Sequence, residues 1–273
     1  FRNVNVDLMA ALPGQTVESF EKSLRAVTGL SPAPEHISVY SLIVEEGTPF
    51  YEKYHRQAEA REAGDADCRP LPTEEEEREM YALTGRLLAA CGYERYEISN
   101  YAKPGFVCRH NMGYWTGVPY LGFGISAASY LSGRYARTGS HADERLTDGR
   151  RFSNMDDLGT YLRLLEERES GRETAPGRKI LGQLRQGEET VTRERAMEEF
   201  MFLGLRMAEG ISENEFAGKF GTDLEAVYGT ALGALERDGL MERMVPDGRG
   251  DKRRRLTARG IDVSNYVLAE FLF

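Results

Sequence analysis

A strand–helix–strand pattern at the start of the chain constrains the fold more than any other feature. Residues 4–9 read Val-Asn-Val-Asp-Leu-Met, which is typical of a strand, and Thr16 then follows as an N-cap residue. A helix is predicted next, because apolar residues fall on one helical face at Val17, Phe20, Leu24 and Val27. Residues 37–44 are a second apolar, β-branched run. We therefore expect two parallel strands joined by a right-handed helical crossover.

A pair of parallel strands cannot form a covered sheet alone, because such strands are buried on both faces. The later sequence shows no further clear strand–helix repeat, and the chain opens on Phe1 with almost no lead-in. The sequence thus predicts an α/β fold truncated at its N-terminus. Functional groups of parallel sheets gather at the carboxyl ends of the strands. Asp7, late in the first strand, is therefore either a ligand contact or a structural hydrogen bonder.

Composition excludes several classes of protein. The chain of 273 residues is 41% hydrophobic and 29% charged, as in ordinary soluble domains. No apolar run approaches the roughly 18 residues that a membrane span needs. Three cysteines, at positions 68, 91 and 108, are too few for a disulfide framework, so we expect a cytoplasmic protein. A net charge of -9 argues against a general binder of nucleic acid or anionic membranes.

Three regions are expected along the chain. Residues 1–52 hold the strand–helix–strand unit, 53–171 a central α/β region, and 172–273 a helical module. In the central region, a capping box at Thr73 begins a helix with Met80, Leu83, Leu87 and Cys91 on its apolar face. Residues 93–101 are predicted to form a short strand that carries Glu97 and Asn100, and a second amphipathic helix covers 154–170 with Leu158, Tyr161, Leu162 and Leu165. The polar stretch 171–191 is predicted to be a connector.

The C-terminal module resembles a winged helix, with three helices followed by a hairpin. Its last long helix, predicted over 223–238, carries four acids and one base, Arg237. A helix that reads bases in the major groove needs Arg, Lys, Asn or Gln. The basic run Lys252–Arg255 lies on the hairpin, where contact with phosphate stays open. We favour a structural or partner-docking module over a DNA-binding one.

The stretch from Cys108 to Trp115 concentrates reactive and aromatic side chains, and its apolar periodicity is too weak to predict a helix or a strand. A metal ligand, a cation and two large rings within eight residues indicate a site for a flat anionic ligand. The alternative is structural: Trp115 fills a core, His110 and Asn111 cap backbone groups, and Arg109 is solvated. The Gly122-x-Gly124 pair that follows allows close backbone approach and is a weak nucleotide signal.

Five segments, in order, resemble the coproporphyrinogen III oxidase-like radical S-adenosylmethionine (SAM) proteins. They are DLMAALPGQT at 7–16, HISVY at 36–40, EGTPF at 46–50, YEISNY at 96–101 and LGFG at 121–124. The C-terminal module is also similar to that of the family. Oxidases of this family decarboxylate coproporphyrinogen III, whereas heme chaperones of the family carry an HNxxYW motif. His110, Asn111, Tyr114 and Trp115 match that motif, and Gly14 also resembles the chaperone group.

The resemblance implies a radical SAM barrel of six strand–helix units, of which this chain holds the last two. The Cys-x3-Cys-x2-Cys loop that binds the [4Fe-4S] cluster is absent from this sequence, so whether the chain acts as an enzyme stays open. By family position, Asp7, Ile43 and Ala128 correspond to SAM contacts. Ala10 and Ala11 replace the usual Tyr-Gly, and Ala128 replaces a frequent histidine, which leaves a backbone contact there.

The resemblance also implies a heme site. Heme iron accepts His, Cys thiolate, Met or Tyr as axial ligands. His110 is the expected ligand, Cys108 the second candidate and Met112 the third, while Tyr114 and Trp115 would stack on the macrocycle. Arg109 would pair with a propionate. The expected function is a heme chaperone that delivers heme to acceptor proteins, with peripheral association with membrane acceptors left open. The alternative is an oxygen-independent coproporphyrinogen III oxidase.

Overall fold

The computed structural model describes residues 1–55, 70–132, 147–169, 182–244 and 250–273. The strands are β1 (Asn5–Ala10), β2 (His36–Ser41), β3 (Glu94–Arg95), β4 (Asn100–Ala102), β5 (Ala128–Ser132), β6 (Thr147–Asn154), β7 (Arg185–Thr192), β8 (Ile211–Ser212), β9 (Met241–Met244) and β10 (Arg253–Leu256). The helices are α1 (Val17–Thr28), α2 (Pro49–Tyr54), α3 (Glu74–Ala90), α4 (Arg109–Trp115), α5 (Leu158–Glu169), α6 (Arg193–Gly204), α7 (Glu213–Phe220), α8 (Leu224–Arg237), α9 (Ala258–Asp262) and α10 (Ser264–Ala269). Within the described ranges, no helix is both long and apolar enough to span a bilayer.

The chain divides into two compact units. The first comprises residues 1–109, 206–209 and 258–262, and the second comprises residues 110–205, 210–257 and 263–273. Both units are therefore built from separate stretches of the chain. The three-part division expected from the sequence stays a prediction.

The first unit contains a four-stranded sheet in the order β1-β2-β4-β3. β1 and β2 are parallel, as predicted, with Asp7 opposite Ser38, whereas β4 runs antiparallel to β2. Thr16 is the N-cap of α1 as predicted and forms a capping box there, and α3 begins with the predicted capping box at Thr73. Their apolar faces pack with the strands in one core that includes Phe20, Leu24, Ile37, Met80, Leu88 and Tyr101.

Two expectations for the first unit are wrong. Cys91 is exposed rather than part of the core, because α3 ends at Ala90 and Cys91 is its C-cap, so Leu88 occupies the inward position instead. Residues 93–101 do not form one strand. β3 and β4 pair antiparallel, with Glu94 opposite Ala102, so this segment is a hairpin. A strand pattern cannot reveal a reversal within nine residues when the turn residues also look β-like.

The second unit contains a three-stranded antiparallel sheet in the order β5-β6-β7. β7 lies in the stretch predicted to be a polar connector. The prediction was wrong because most side chains of β7 are exposed and only Val191 is buried, so the strand lacks an apolar pattern. α5 forms as expected, but its inward residue is Leu164, which packs with Leu184 and with the partly buried Met155, Tyr161 and Leu165. Leu158 and Leu162, expected to face inward, are exposed.

A second three-stranded sheet, β8-β10-β9, accompanies helices α6, α7 and α8. Ser212 caps α7 through its side chain, whereas the N-cap of α8, Asp223, makes no side-chain capping bond. Arginines of the basic run on β10 form ion pairs with glutamates of the protein itself. Arg254 is fully buried and ion-pairs with Glu213, Glu225 and Glu236, and Arg255 pairs with Glu242. Arg254 is therefore not accessible to a phosphate backbone.

Candidate functional site

The stretch predicted to lack regular structure contains the short helix α4, Arg109–Trp115. Its end is defined by Thr116 and Val118, whose backbone N–H groups donate to the carbonyls of Met112 and Gly113, and by Gly117, whose φ of 67° suits glycine. The prediction was wrong because seven residues span only two turns, too few to show apolar periodicity.

His110 lies exposed on α4. Its ring meets Tyr114 edge-on, with centroids 4.9 Å apart and an interplanar angle of 86°. Neither ring nitrogen forms a hydrogen bond with the described part of the chain, and the same holds for the Asn111 side chain. The structural alternative, in which these two side chains cap backbone groups, is therefore not what the structure shows. The ring nitrogens of His110 are available to an external partner.

The neighbours of His110 differ in exposure. Arg109 is exposed and pairs with no carboxylate among the described residues, so its charge is available to an anion. Cys108 is a half-buried free thiol. Met112 and Trp115 are also half-buried, and Tyr114 is 39% exposed. Trp115 is thus neither fully buried nor fully exposed, and its role stays a prediction.

Tyr114 is the first of three tyrosine rings that contact one another in sequence order, an arrangement that was not predicted from the sequence. Tyr114 contacts Tyr120 edge-on at 5.1 Å between centroids, and Tyr120 lies 6.3 Å from Tyr130. Arg151 lies over the Tyr130 ring and forms a bidentate ion pair with Glu199, at 2.6 and 2.7 Å. This pairing raises the pKa of Arg151. Tyr114 belongs to the HNxxYW motif, but Tyr130, Arg151 and Glu199 are far apart in sequence, so no local pattern could predict their contact.

The Gly122-x-Gly124 turn packs against the backbone at the start of β5. A Cβ at Gly122 would clash with the carbonyl oxygen of Ala128, which confirms the predicted close backbone approach. Asn154 donates to the Gly124 carbonyl at 2.7 Å, and the Gly122 N–H donates to Ser129 Oγ at 3.0 Å. The glycines thus shape the entry into β5.

The expected SAM-side residues lie in different places. In the first unit, Asp7 is the third residue of β1 rather than a late one, and its exposed carboxylate accepts a bond of 2.7 Å from Asn5 Nδ2. Ile43 follows β2 and is 76% exposed. Ala128, in the second unit, is the exposed first residue of β5. All these side chains are accessible, and Asp7 also has the structural hydrogen bond that was its alternative.

His36 is a second histidine at the sheet and has a structural role. Its buried ring bonds Asn5 Oδ1 at 2.6 Å and Tyr96 Oη at 2.8 Å. Burial lowers the pKa of His36, and the nearby charge of Asp7 opposes this effect. Both ring nitrogens are occupied, in contrast to His110.

Residues suited to an iron–sulfur cluster are not grouped in the described ranges. No set of three or more His, Cys, Asp or Glu side chains there could hold a metal ion. Cys68 lies outside the described residues, and the sequence contains no Cys-x3-Cys-x2-Cys spacing. The residues present do not fit the cluster.

Known proteins resemble this chain along its whole length. Residues 191–263 match the family model of the HemN C-terminal domain. The heme chaperone HemW of Bacillus subtilis (strain 168) is 34% identical over 272 residues, which cover 100% of this chain and 59% of that protein. HemW of Lactococcus lactis subsp. lactis (strain IL1403) is 30% identical with the same coverage. The chain thus spans about three-fifths of the length of these curated relatives.

A solved structure shares the fold. It is that of coproporphyrinogen III oxidase (HemN) from Escherichia coli, described as a radical SAM enzyme. The TM-score is 0.61 at 18% sequence identity, over 99% of this chain and 55% of that one. The α/β fold of this chain is therefore similar to that of HemN. The chain is thus HemW-like, since it is similar in sequence to HemW proteins over its whole length and similar in fold to HemN.

Proposed function

We propose that this chain is part of a heme chaperone and that helix α4 binds the heme. The observation that carries the proposal is His110, an exposed histidine within an HNxxYW pattern whose two ring nitrogens have no partner among the described residues. Histidine is a common axial ligand of heme iron. The HemW relatives, named as heme chaperones, support the same conclusion.

The neighbouring side chains fit a heme-binding role. Tyr114 holds the His110 ring edge-on, which restricts its rotation before a ligand arrives. Arg109 offers an unpaired guanidinium to a propionate. Trp115 offers a half-buried ring face, and Asn111 completes the motif. Cys108 is the alternative iron ligand. An exposed ligand suits a chaperone, because the cargo must leave again for an acceptor protein.

The remaining family features follow from the same proposal. We infer that the first unit includes the last two strand–helix units of a six-unit radical SAM barrel, and that α6–α8 with β8–β10 form a winged-helix-like module. Asp7, Ile43 and Ala128 would contact SAM, and their exposure is compatible with this role. SAM and the [4Fe-4S] cluster would belong to the full-length protein. A cytoplasmic location and acceptor proteins of either soluble or membrane-bound type fit the proposal.

Coproporphyrinogen III oxidase is the less supported alternative. Its support is a likeness of fold at 18% identity, whereas the HemW proteins match the whole chain at 30% and 34% identity.

Heme titration tests the proposal directly. The purified chain and its His110→Ala variant are titrated with hemin, and the Soret absorbance is followed. We expect His110→Ala to shift the Soret maximum and to weaken binding by about tenfold or more, which corresponds to about 1.4 kcal/mol. Cys108→Ser should leave the spectrum unchanged if His110 is the ligand.

The matched control is His55→Ala, which removes another exposed histidine outside α4. This variant should reproduce the wild-type spectrum and affinity. Identical titrations for the wild type and His110→Ala would reject His110 as the ligand. A changed spectrum for Cys108→Ser alone would assign the iron to the thiolate.

A further inference from the structure

A cavity of about 1020 Å³ lies within the first unit, between helix α3 and the β3–β4 hairpin, with α9 at one side. Its lining includes no residue of α4, Asp7, Ile43 or Ala128, so it is separate from every position discussed above. A volume of this size is at the upper end of the range found for sites that bind small molecules.

The walls of the cavity offer apolar surface. Tyr81 and the small residues Ala82, Gly85 and Ala89 of α3 line one side, and Tyr93 and Tyr101, which follow the helix, line the other. A Cβ at Gly85 would lie 4.0 Å from the Tyr101 hydroxyl, so a larger side chain at this position would enter the slot between helix and hairpin. Aromatic rings beside small residues provide a surface on which an apolar group can pack.

The charges around the cavity favour an anion. Three arginines, Arg78, Arg86 and Arg95, line it against two carboxylates, Glu94 and Asp262. Arg78 is already paired with Glu74 and Asp262. Arg95 donates to the Tyr81 hydroxyl at 3.1 Å and pairs with no carboxylate, and Arg86 has no partner within the described ranges. Two guanidinium groups are therefore available to an anionic ligand.

We propose that this cavity binds a small amphipathic molecule with an apolar body and one anionic group. The body packs against the small residues of α3 around Gly85 and against the tyrosine rings, and the anionic group meets Arg86 and Arg95. This site is additional to the heme site proposed on α4 and does not depend on it.

A pair of fluorescent probes tests the proposal. 1-Anilinonaphthalene-8-sulfonate carries a flat body and an anionic group, and N-phenyl-1-naphthylamine has the same body without the charge. We expect the sulfonate to bind the wild type with the higher affinity. Gly85→Leu should weaken binding of both probes by about tenfold or more, because the leucine fills the slot. Arg86→Gln should weaken binding of the sulfonate alone, by a few fold.

Matched variants separate the cavity from general changes. Gly218→Leu introduces the same side chain into open space on α7, and Arg25→Gln removes an exposed arginine of α1. Both should bind the probes like the wild type, and all variants should unfold cooperatively. Gly85→Leu should also leave the Soret spectrum unchanged, so the two proposals can fail independently. Equal probe affinities for Gly85→Leu and Gly218→Leu, with both proteins folded, would overturn the proposal.

Discussion

Residues 96–101 and residues 110–115 both match family motifs, yet Glu97 of the first and His110 of the second are used in opposite ways. In the first segment Glu97 has a fully buried carboxylate. Its Oε1 accepts bonds from the Ser99 N–H and from Asn100 Nδ2, both at 2.7 Å, and its Oε2 lies 3.7 Å from Arg206. In the second segment His110 is exposed, as is Arg109 just before it, and neither has such partners among the described residues.

The difference shows that hydrogen bonding can distinguish a structural motif residue from a ligand-binding one. A polar residue whose bonding capacity is used within the protein holds the fold together, and a polar residue whose capacity remains free can serve a ligand. Glu97 orders the turn between β3 and β4 and joins it to residues 206–209, where Met207 bridges to it. Motif matching alone could not separate these two roles, whereas the hydrogen bonds do.

The largest expected effect is on the buried carboxylate. Glu97→Ala removes the acceptor of two hydrogen bonds and leaves Asn100 and Arg206 with unsatisfied groups. We expect a loss of about 3 kcal/mol in the free energy of unfolding. Urea unfolding followed by far-UV circular dichroism measures it. Glu94→Ala, an exposed position of β3, is the control and should stay within about 0.5 kcal/mol. A comparable loss in both variants would contradict the structural role of Glu97.

A smaller effect is expected from pH, through His36, which bonds to Tyr96 at the start of the first motif. Because burial lowers the pKa of His36, the unfolded chain binds its proton more readily than the folded chain. The free energy of unfolding therefore falls as the pH drops below about 6.5, the pKa of an ordinary histidine. This loss levels off once the pH is below the lowered pKa of His36 in the folded protein. Because one proton is involved, the free energy of unfolding changes by at most about 1.4 kcal/mol per pH unit.

Unfolding free energies at pH 7.5 and 5.5 measure this contribution. His36→Gln should lose less stability on acidification than the wild type. Tyr96→Phe removes one hydrogen bond but keeps the imidazole, so it should retain the pH dependence. If His36→Gln and the wild type show the same pH dependence, His36 is not the group responsible.

The smallest effect is expected at the second motif. His110→Ala and Arg109→Ala each remove an exposed side chain without a hydrogen-bonding partner in the described ranges. Each should change the free energy of unfolding by less than about 0.5 kcal/mol. Thermal unfolding without heme measures this change. A loss above about 1 kcal/mol for His110→Ala would assign that residue to the fold and remove the contrast between the two motifs.

Local features of the fold were predictable from the sequence. The N-cap at Thr16, the capping box at Thr73, the helices they begin and the parallel pairing of β1 with β2 were all confirmed. Each depends on hydrogen bonds or apolar spacing within a few residues, or on the short length of a crossover. The site was predictable only as a set of residues, because the HNxxYW match named His110 without showing whether its ring was free.

Tertiary contacts decided the rest. Leu164 faces inward because Leu184 lies against it, Cys91 is exposed because α3 stops one residue earlier, and Arg254 is buried because three glutamates surround it. The sequence by itself determined the elements with clear local signals, such as β1, α1, β2 and α3, and which family the chain resembles, since both are encoded in neighbouring residues. Only the tertiary structure decided which polar groups are satisfied and which remain free, because partners such as those of His36 and Arg254 lie tens of residues away.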